Sequence, residues 1–498
     1  MMSDVSHDPR TGTVVALLPT SSAAQVRDVV ARAAAAAPAV AAATPAERRR
    51  WLVALADALP GSREATELVR VADRETALGE ARLAGELVRC AGQLRFYGDV
   101  GAEASYLRLS VDHATEATPD LRRMQVPLGP VAVLGASNFP FAFGALGNDT
   151  GSAIAAGCPV IAKAHPAHPE TSALLASLAT EALTAAGAPD GAFGLVAGFE
   201  AGEALVRDPE VAAVAFTGSQ RGGLALWRLA NQRAAVIPVY AEMGTVNPVV
   251  MTTGATVRTD SIVDGFVGSF TLGTGQFCTK PGLLLAPAGH GVPARVAAAL
   301  ETARPTGWLL TEGIAASCGS GVDELVSAGA EVLGRVPGPA TGWSADATVV
   351  VVPATDLKPG SRLLDECFGP VAMVAEYADR RELDEVLDAL QGALAASVMS
   401  AGPADPETPS LVAALTHLAG RVAVDDWPTG VAVTWAQQHG GPWPATTFPS
   451  ATSVGAAALD RFTRPVTWQS APGMALPPAL QDDNPWRLPR RVDGRLVP

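Results

Sequence analysis

Between residues 126 and 244 the chain alternates short apolar runs with helical stretches. VPLGPVAVLGAS, CPVIAKAHP, GAFGLVAG, VAAVAFTGS and VIPVYAEMG read as strands. GALGNDTGSAIAAG, TSALLASLATEALTAAG, EAGEALVRDP and RGGLALWRLANQ read as the helices between them. The strands are continuously apolar, so both of their faces must be covered. This restricts the segment to a parallel sheet with helices on either side, a type that binds ligands at the carboxyl ends of its strands. A second block of the same type follows. Its strands are PGLLLAP, TVVVVPA, GPVAMVAEYA and AASVMSA, and its helices are TDSIVDGFVGSFTLG, PARVAAALETA and RELDEVLDAL. The expected fold is α/β, with two doubly wound parallel-sheet domains.

The flanks differ. Residues 21–60 read as two helices, the second opening on Thr-Pro-x-Glu, and helical periodicity continues over 62–108. Residues 111–126 and 460–498 belong to neither block, and the second stretch is rich in Pro, Arg and Trp. A chain of 498 residues with 48% hydrophobic and 17% charged residues has enough apolar side chains for more than one core. The net charge of −14 argues against nucleic-acid or membrane-surface partners, which call for basic patches. No apolar run is long enough to span a bilayer, and no signal peptide is visible at the start. The five cysteines (90, 158, 278, 318, 367) contain no CxxC pair, which fits a reduced cytoplasm. The loop histidines, His439 among them, show no ligand spacing, so no metal is expected.

Four short motifs carry candidate chemistry. Cys278 lies in TLGTGQFCTKPG, a glycine-rich turn. A structural cysteine packs as a small hydrophobe, whereas a reactive one needs access and thiolate-favouring donors. Asn138 in GASNFPFAFG follows a strand, where its amide either caps a helix or donates to an oxyanion. Glu242 ends the apolar strand VIPVYAEMG, as an exposed terminus or as a buried carboxylate with a task. In DECFGPV, Glu366 could accept from a ribose diol and Phe368 could pack on a flat ring. Cys367 beside Glu366 reads as structural, because its neighbours disfavour a thiolate. FTGSQRGG follows a strand and opens a helix, so Gly218 and Ser219 can present donors to a diphosphate.

Taken in order and spacing, Asn138, Lys163 in VIAKAHP, FTGS, Glu242 in EMG, Cys278 in GQFCT and Glu366 in ECFGPV resemble the aldehyde dehydrogenase superfamily over nearly the whole chain. The wording is most similar to its branch of 2-oxoglutarate semialdehyde and NADP-dependent fatty aldehyde dehydrogenases. The resemblance implies that Cys278 attacks the aldehyde and that Asn138 and the Cys278 backbone N–H hold the oxyanion. It also implies that Glu242 activates the water that releases the acid. Small neighbours, Gly275 and Thr279, would let substrate and cofactor reach the sulfur. Residues 1–110 and 127–244 would bind NAD(P) and residues 245–459 would carry the nucleophile. Residues 111–126 and 460–498 would form a strand-rich arm that pairs subunits into a homodimer or homotetramer.

Lys163 would reach the adenosine ribose. The superfamily's common KPAE form reads KAHP here, and no acid occurs before Glu170, so NADP is the expected cofactor, with NAD also possible and His165 as an added donor. A small aldehyde with a remote carboxylate is the expected substrate, Lys280 being placed to attract the anion. Long-chain aldehydes, coenzyme A in place of water, and a non-catalytic relative are the alternatives.

Overall fold

The computed structural model describes residues 3–59 and 63–497. Residues 60 and 62, at the ends of two expected helical stretches, lie outside them. The first sheet has five strands, in the order 193–196, 160–163, 131–134, 213–218, 239–243, all parallel. Alternate residues serve opposite faces of it. Val131, Val133, Val160, Ala162, Ala213 and Ala215 enter one core, while Ala132, Leu134, Ile161 and Val214 enter another. Each large aliphatic side chain so buried contributes roughly 1.5–3 kcal/mol. The strand order reverses between 131–134 and 213–218, so the loops after these two strands splay apart and open a crevice.

The second sheet has seven strands, in the order 331–336, 347–353, 371–377, 283–287, 248–251, 393–399, 419–424. Only the edge strand Glu331–Val336 runs antiparallel to its neighbour. Its two faces also fill separate cores, Leu283 and Leu285 in one and Leu284 and Ala286 in the other. A third sheet joins 463–469, 121–127, 110–112, 490–492 and 495–497, so both stretches outside the two blocks meet in one layer of strands.

Several elements depart from the expectation. A hairpin, Ser3–Asp8 with Thr13–Pro19, precedes the first helix. Helix Glu312–Ser327 was unforeseen because Gly313, Gly319 and Gly321 depress its helical propensity. Tertiary packing explains Gly321, since a Cβ there would stand 2.7 Å from Cys367 Sγ. Strands Pro248–Met251 and Ala419–Val424 and helix Thr408–Leu418 complete the second block. Helices Ala23–Ala42, Pro45–Ala58 and Glu80–Glu103 form as expected, the first two behind capping boxes at Ser22 and Thr44.

Candidate active site

The carboxyl edge of the first sheet meets the amino edge of the second. Glu242 and the loop holding Asn138 come from the former; Cys278 and Glu366 precede strands 283–287 and 371–377 of the latter. Helix Thr259–Thr271 ends in three consecutive left-handed residues, Gly273, Thr274 and Gly275, at φ 56, 58 and 68°. That run turns the chain toward Cys278 and explains the glycines, which adopt this conformation without a Cβ penalty. The turn is fastened by backbone contacts. Asn247 Nδ2 lies 2.8 Å from the Cys278 carbonyl and 3.1 Å from that of Lys280. Its Oδ1 accepts from Ala395 N–H at 3.1 Å, tying the turn to the sheet.

Cys278 is half-buried. Burial, and then the charges of Glu242 and Glu366, push its thiol well above the usual range, so it rests as a thiol. Its Sγ lies 3.6 Å from His439 Nε2. The same nitrogen lies 2.7 Å from Glu242 Oε1, a close charge contact rather than an aligned hydrogen bond. Ser453 Oγ donates to Glu242 Oε2. His439 and Glu242 are 1% and 3% exposed, so a charge formed there is weakly screened. Burial raises the Glu242 carboxyl, but the opposing charge and close contact of His439 and the hydrogen bond from Ser453 outweigh this and hold it below its ordinary range. His439 Nε2 thus faces both the thiol and the carboxylate, and in its neutral form its lone pair can take the proton from sulfur. Their ligand atoms lie within 4.8 Å of one another, which could also hold a metal ion.

Asn138 is buried, and its Nδ2 donates to the Gln276 carbonyl at 2.8 Å, two residues before the cysteine. It caps no helix. That bond uses one of its two amide hydrogens and leaves a second donor on the same nitrogen.

The aldehyde dehydrogenase family matches residues 4–464. The chain belongs to that family. It is 44% identical over 461 residues to alpha-ketoglutaric semialdehyde dehydrogenase 2 of Azospirillum brasilense, covering 90% of this chain and 87% of that protein. It is 38% identical over 442 residues to alpha-ketoglutaric semialdehyde dehydrogenase of Acinetobacter baylyi, covering 87% and 84%. A crystal structure of an NAD-dependent aldehyde dehydrogenase from Sinorhizobium meliloti superposes with TM-score 0.80 at 26% identity, over 94% and 91% of the two chains. This aldehyde dehydrogenase is therefore an oxidoreductase acting on aldehydes, in a family that uses NAD(P).

The groove residues of this aldehyde dehydrogenase fit a dinucleotide. Gly218 ends its strand, where a Cβ would collide with Phe216 at 2.6 Å. Ser219 caps helix Gln220–Asn231, accepting from Gly222 N–H at 3.2 Å, so its hydroxyl hydrogen remains to donate. Glu366 lies over Gly244, where a Cβ would stand 2.1 Å from its carboxylate. Its Oε1 is buried without a partner, and burial lifts its carboxyl to about 7 against the pull of Lys280. Such an orphaned acceptor suits a sugar hydroxyl. Phe368 is half-buried in the same loop. Lys163 ends its strand, and burial lowers its ammonium while Asp4 draws it back up. His165 stacks on His168 with centroids 5.2 Å apart and accepts from Ala167 N–H through Nδ1. Burial, and then His168 and Lys163, push its imidazole far below the usual range, so it offers a neutral Nε2–H donor rather than a cation.

Three expectations need correction. Lys280 does not face substrate. It is 2% exposed, and its Nζ donates to the Cys367 carbonyl at 3.0 Å and to that of Val371. Gly275 and Thr279 serve packing rather than access: a Cβ at Gly275 would stand 2.1 Å from the Gly369 oxygen, and Thr279 Oγ1 accepts from Gly430 N–H. The neighbours of Cys367 act opposite to that expectation, because the hydrogen bond with Cys318 outweighs burial and, with Lys280, draws its thiol down rather than up. Position removes it instead, since Cys367 packs in the core beneath Gly321 with Sγ 3.7 Å from the Cys318 carbonyl. Two residues were missed. His439 was set aside for lack of spacing, and no spacing rule reaches across 161 residues. Asn247 carried one local signal, a polar residue within the apolar run TVNPVV.

Proposed function

We propose that this aldehyde dehydrogenase oxidises 2-oxoglutarate semialdehyde to the acid. The observation that carries the chemistry is His439 Nε2 standing 3.6 Å from Cys278 and 2.7 Å from Glu242. The names of the Azospirillum and Acinetobacter relatives support the substrate. His439 takes the thiol proton, and Glu242 is kept for the later water step. The sulfur bonds to the aldehyde carbon, and the carbonyl oxygen gains charge toward the second Asn138 N–H and the Cys278 backbone N–H. A bound nicotinamide would supply the hydride acceptor, and with the hydride gone from the carbon Cys278 carries the acyl group as a thioester. Glu242 takes a proton from the water that attacks this thioester, and the acid departs. An intact Glu242 favours water over coenzyme A.

In this proposal residues 1–110 and 127–244 hold the cofactor, through Lys163, His165, Gly218, Ser219, Glu366 and Phe368, and residues 245–459 carry the nucleophile. NADP is taken at least as well as NAD. Glu170, the first acid after Lys163, is paired with Arg74. Asp4, the carboxylate facing Lys163, accepts from Gly198 N–H at 2.9 Å. The test is a panel of semialdehydes and alkyl aldehydes with either cofactor, with and without coenzyme A. The expected result is acid formation independent of coenzyme A, highest kcat/KM for the semialdehyde, and NADP within tenfold of NAD or better. A strong preference for NAD would make Asp4 the acid on the ribose. Higher efficiency with long-chain aldehydes would refute the substrate.

The five-stranded layer built from 110–127 and 463–497 supports a subunit-pairing role for 111–126 and 460–498. Light scattering is expected to give a dimer or tetramer mass, and a monomer mass would refute it. The cysteines are all free thiols, and no helix among the described residues is long and apolar enough to cross a membrane. Both support a cytoplasmic enzyme.

A further inference from the structure

Arg82, Glu86 and Arg89 lie on one face of helix Glu80–Glu103, at i, i+4 and i+7. That face packs on the loop carrying Asn138. The Arg82 guanidinium carbon is 5.0 Å from the Phe139 ring centroid and 5.3 Å from that of Phe277, the neighbours in sequence of Asn138 and Cys278. Its Nη2 donates to the Asn138 carbonyl at 2.7 Å. Arg89 lies 5.7 Å from Phe139 and 5.6 Å from Phe143, and its Nη2 donates to the Val431 carbonyl at 2.9 Å. The two cations thus flank a small apolar cluster of Phe139, Phe143, Val431 and Val433 beside the nucleophile.

Among the described residues no carboxylate forms an ion pair with Arg82 or Arg89, although most arginines in ion pairs here lie on the surface. Glu86 sits between them and is the charge that acts most on both, but its Oε1 accepts from the N–H groups of Phe141 and Ala142 at 2.8 and 3.0 Å, its Oε2 is buried without a partner, and burial lifts its carboxyl to about 7, which weakens its charge. Arg82 Nη1 is buried with no acceptor at all. It faces the nucleophile turn, where a Cβ on Gly273 would stand 3.0 Å from it. A buried donor without an acceptor is costly, and a guanidinium is shaped to meet an oxyanion. Burial lowers the Arg89 guanidinium, against the pull of Glu86 and then of Cys278. In a chain of net charge −14, two unpaired cations at this spot focus anions onto the sulfur.

We propose that Arg82 and Arg89 form the subsite that binds the remote carboxylate of the substrate, with its short carbon chain lying across Phe139 and Phe143. This deepens the aldehyde-oxidising function proposed above and rests on it. It also assigns the role that the buried Lys280 cannot fill.

The test compares 5-oxopentanoate with pentanal, which has the same carbon count and no carboxylate. The wild-type enzyme is expected to favour 5-oxopentanoate by kcat/KM, and Arg89→Met to cut that ratio by about ten- to a hundredfold, the worth of one charge-assisted hydrogen bond. Arg82→Met should do the same. Arg89→Lys, which keeps the charge and loses the fork, should recover part of the ratio. A second readout needs no turnover. Glutarate is expected to protect Cys278 from iodoacetamide in the wild type and not in Arg89→Met, while glutaramide protects neither. An unchanged ratio, or glutarate protection surviving in both variants, would overturn the subsite. A wild type that oxidises neither aldehyde while glutarate still protects the thiol would sink the parent function and leave the anion site standing.

Discussion

Cys278→Ala is expected to lose at least about ten-thousandfold in aldehyde oxidation, the scale seen when a covalent nucleophile is removed. The argument begins with what the substitution leaves intact. The turn is held through the Cys278 and Lys280 carbonyls by Asn247 and through the Gln276 carbonyl by Asn138, none of which involves the sulfur. Lys163 and Gly218, which would hold the dinucleotide, end strands of the other sheet. Fluorescence titration should therefore find NAD(P) affinity within about threefold of wild type, because no cofactor contact changes. Cys367→Ala tests the rival thiol. It opens a small void beneath Gly321 and should lower stability without removing turnover from the folded fraction. Appreciable turnover in Cys278→Ala would remove the nucleophile from the proposal.

Glu242→Gln is expected to separate the two halves of the reaction. Glutamine keeps the shape and an oxygen for Ser453, but cannot take a proton from water. Stopped-flow absorbance should show a burst of NAD(P)H followed by a steady state slowed by about 10²–10⁴, the usual worth of a positioned base. His439→Gln should do the reverse and slow the burst itself. The pH profile fixes the sign. Burial, Glu242 and Glu366 hold the Cys278 thiol above its ordinary range. Without the imidazole, the thiolate must form by simple titration, so the burst rate of His439→Gln should climb with pH across the alkaline range. Equal loss of burst and steady state in Glu242→Gln would place that carboxylate in the activation of the thiol instead.

The apolar strands and the motifs at their ends were legible because a parallel sheet writes itself into the chain. Strands covered on both faces must be continuously apolar, and the residues at their carboxyl ends fall on one edge. Asn138, Lys163, Ser219 and Glu242 could therefore be placed along a common groove before any coordinates. Glycine at 273 and 275 marked the turn that aims Cys278, because left-handed backbone has a preferred residue.

Side-chain direction was decided only by the fold. Lys280 stands two residues from the nucleophile, yet its ammonium points into the second domain, because the Cys367 and Val371 carbonyls there need a donor. Helix Glu312–Ser327 forms against its own glycines because Cys367 needs the space at Gly321. His439 and the pair Arg82 and Arg89 converge on the site from two distant stretches of chain. The chain by itself determined which segments form strands and which residues end them, since period and backbone preference act over a few neighbours. The tertiary structure alone decided which charges meet across the cleft, because contact, burial and charge coupling depend on distance in space rather than along the chain.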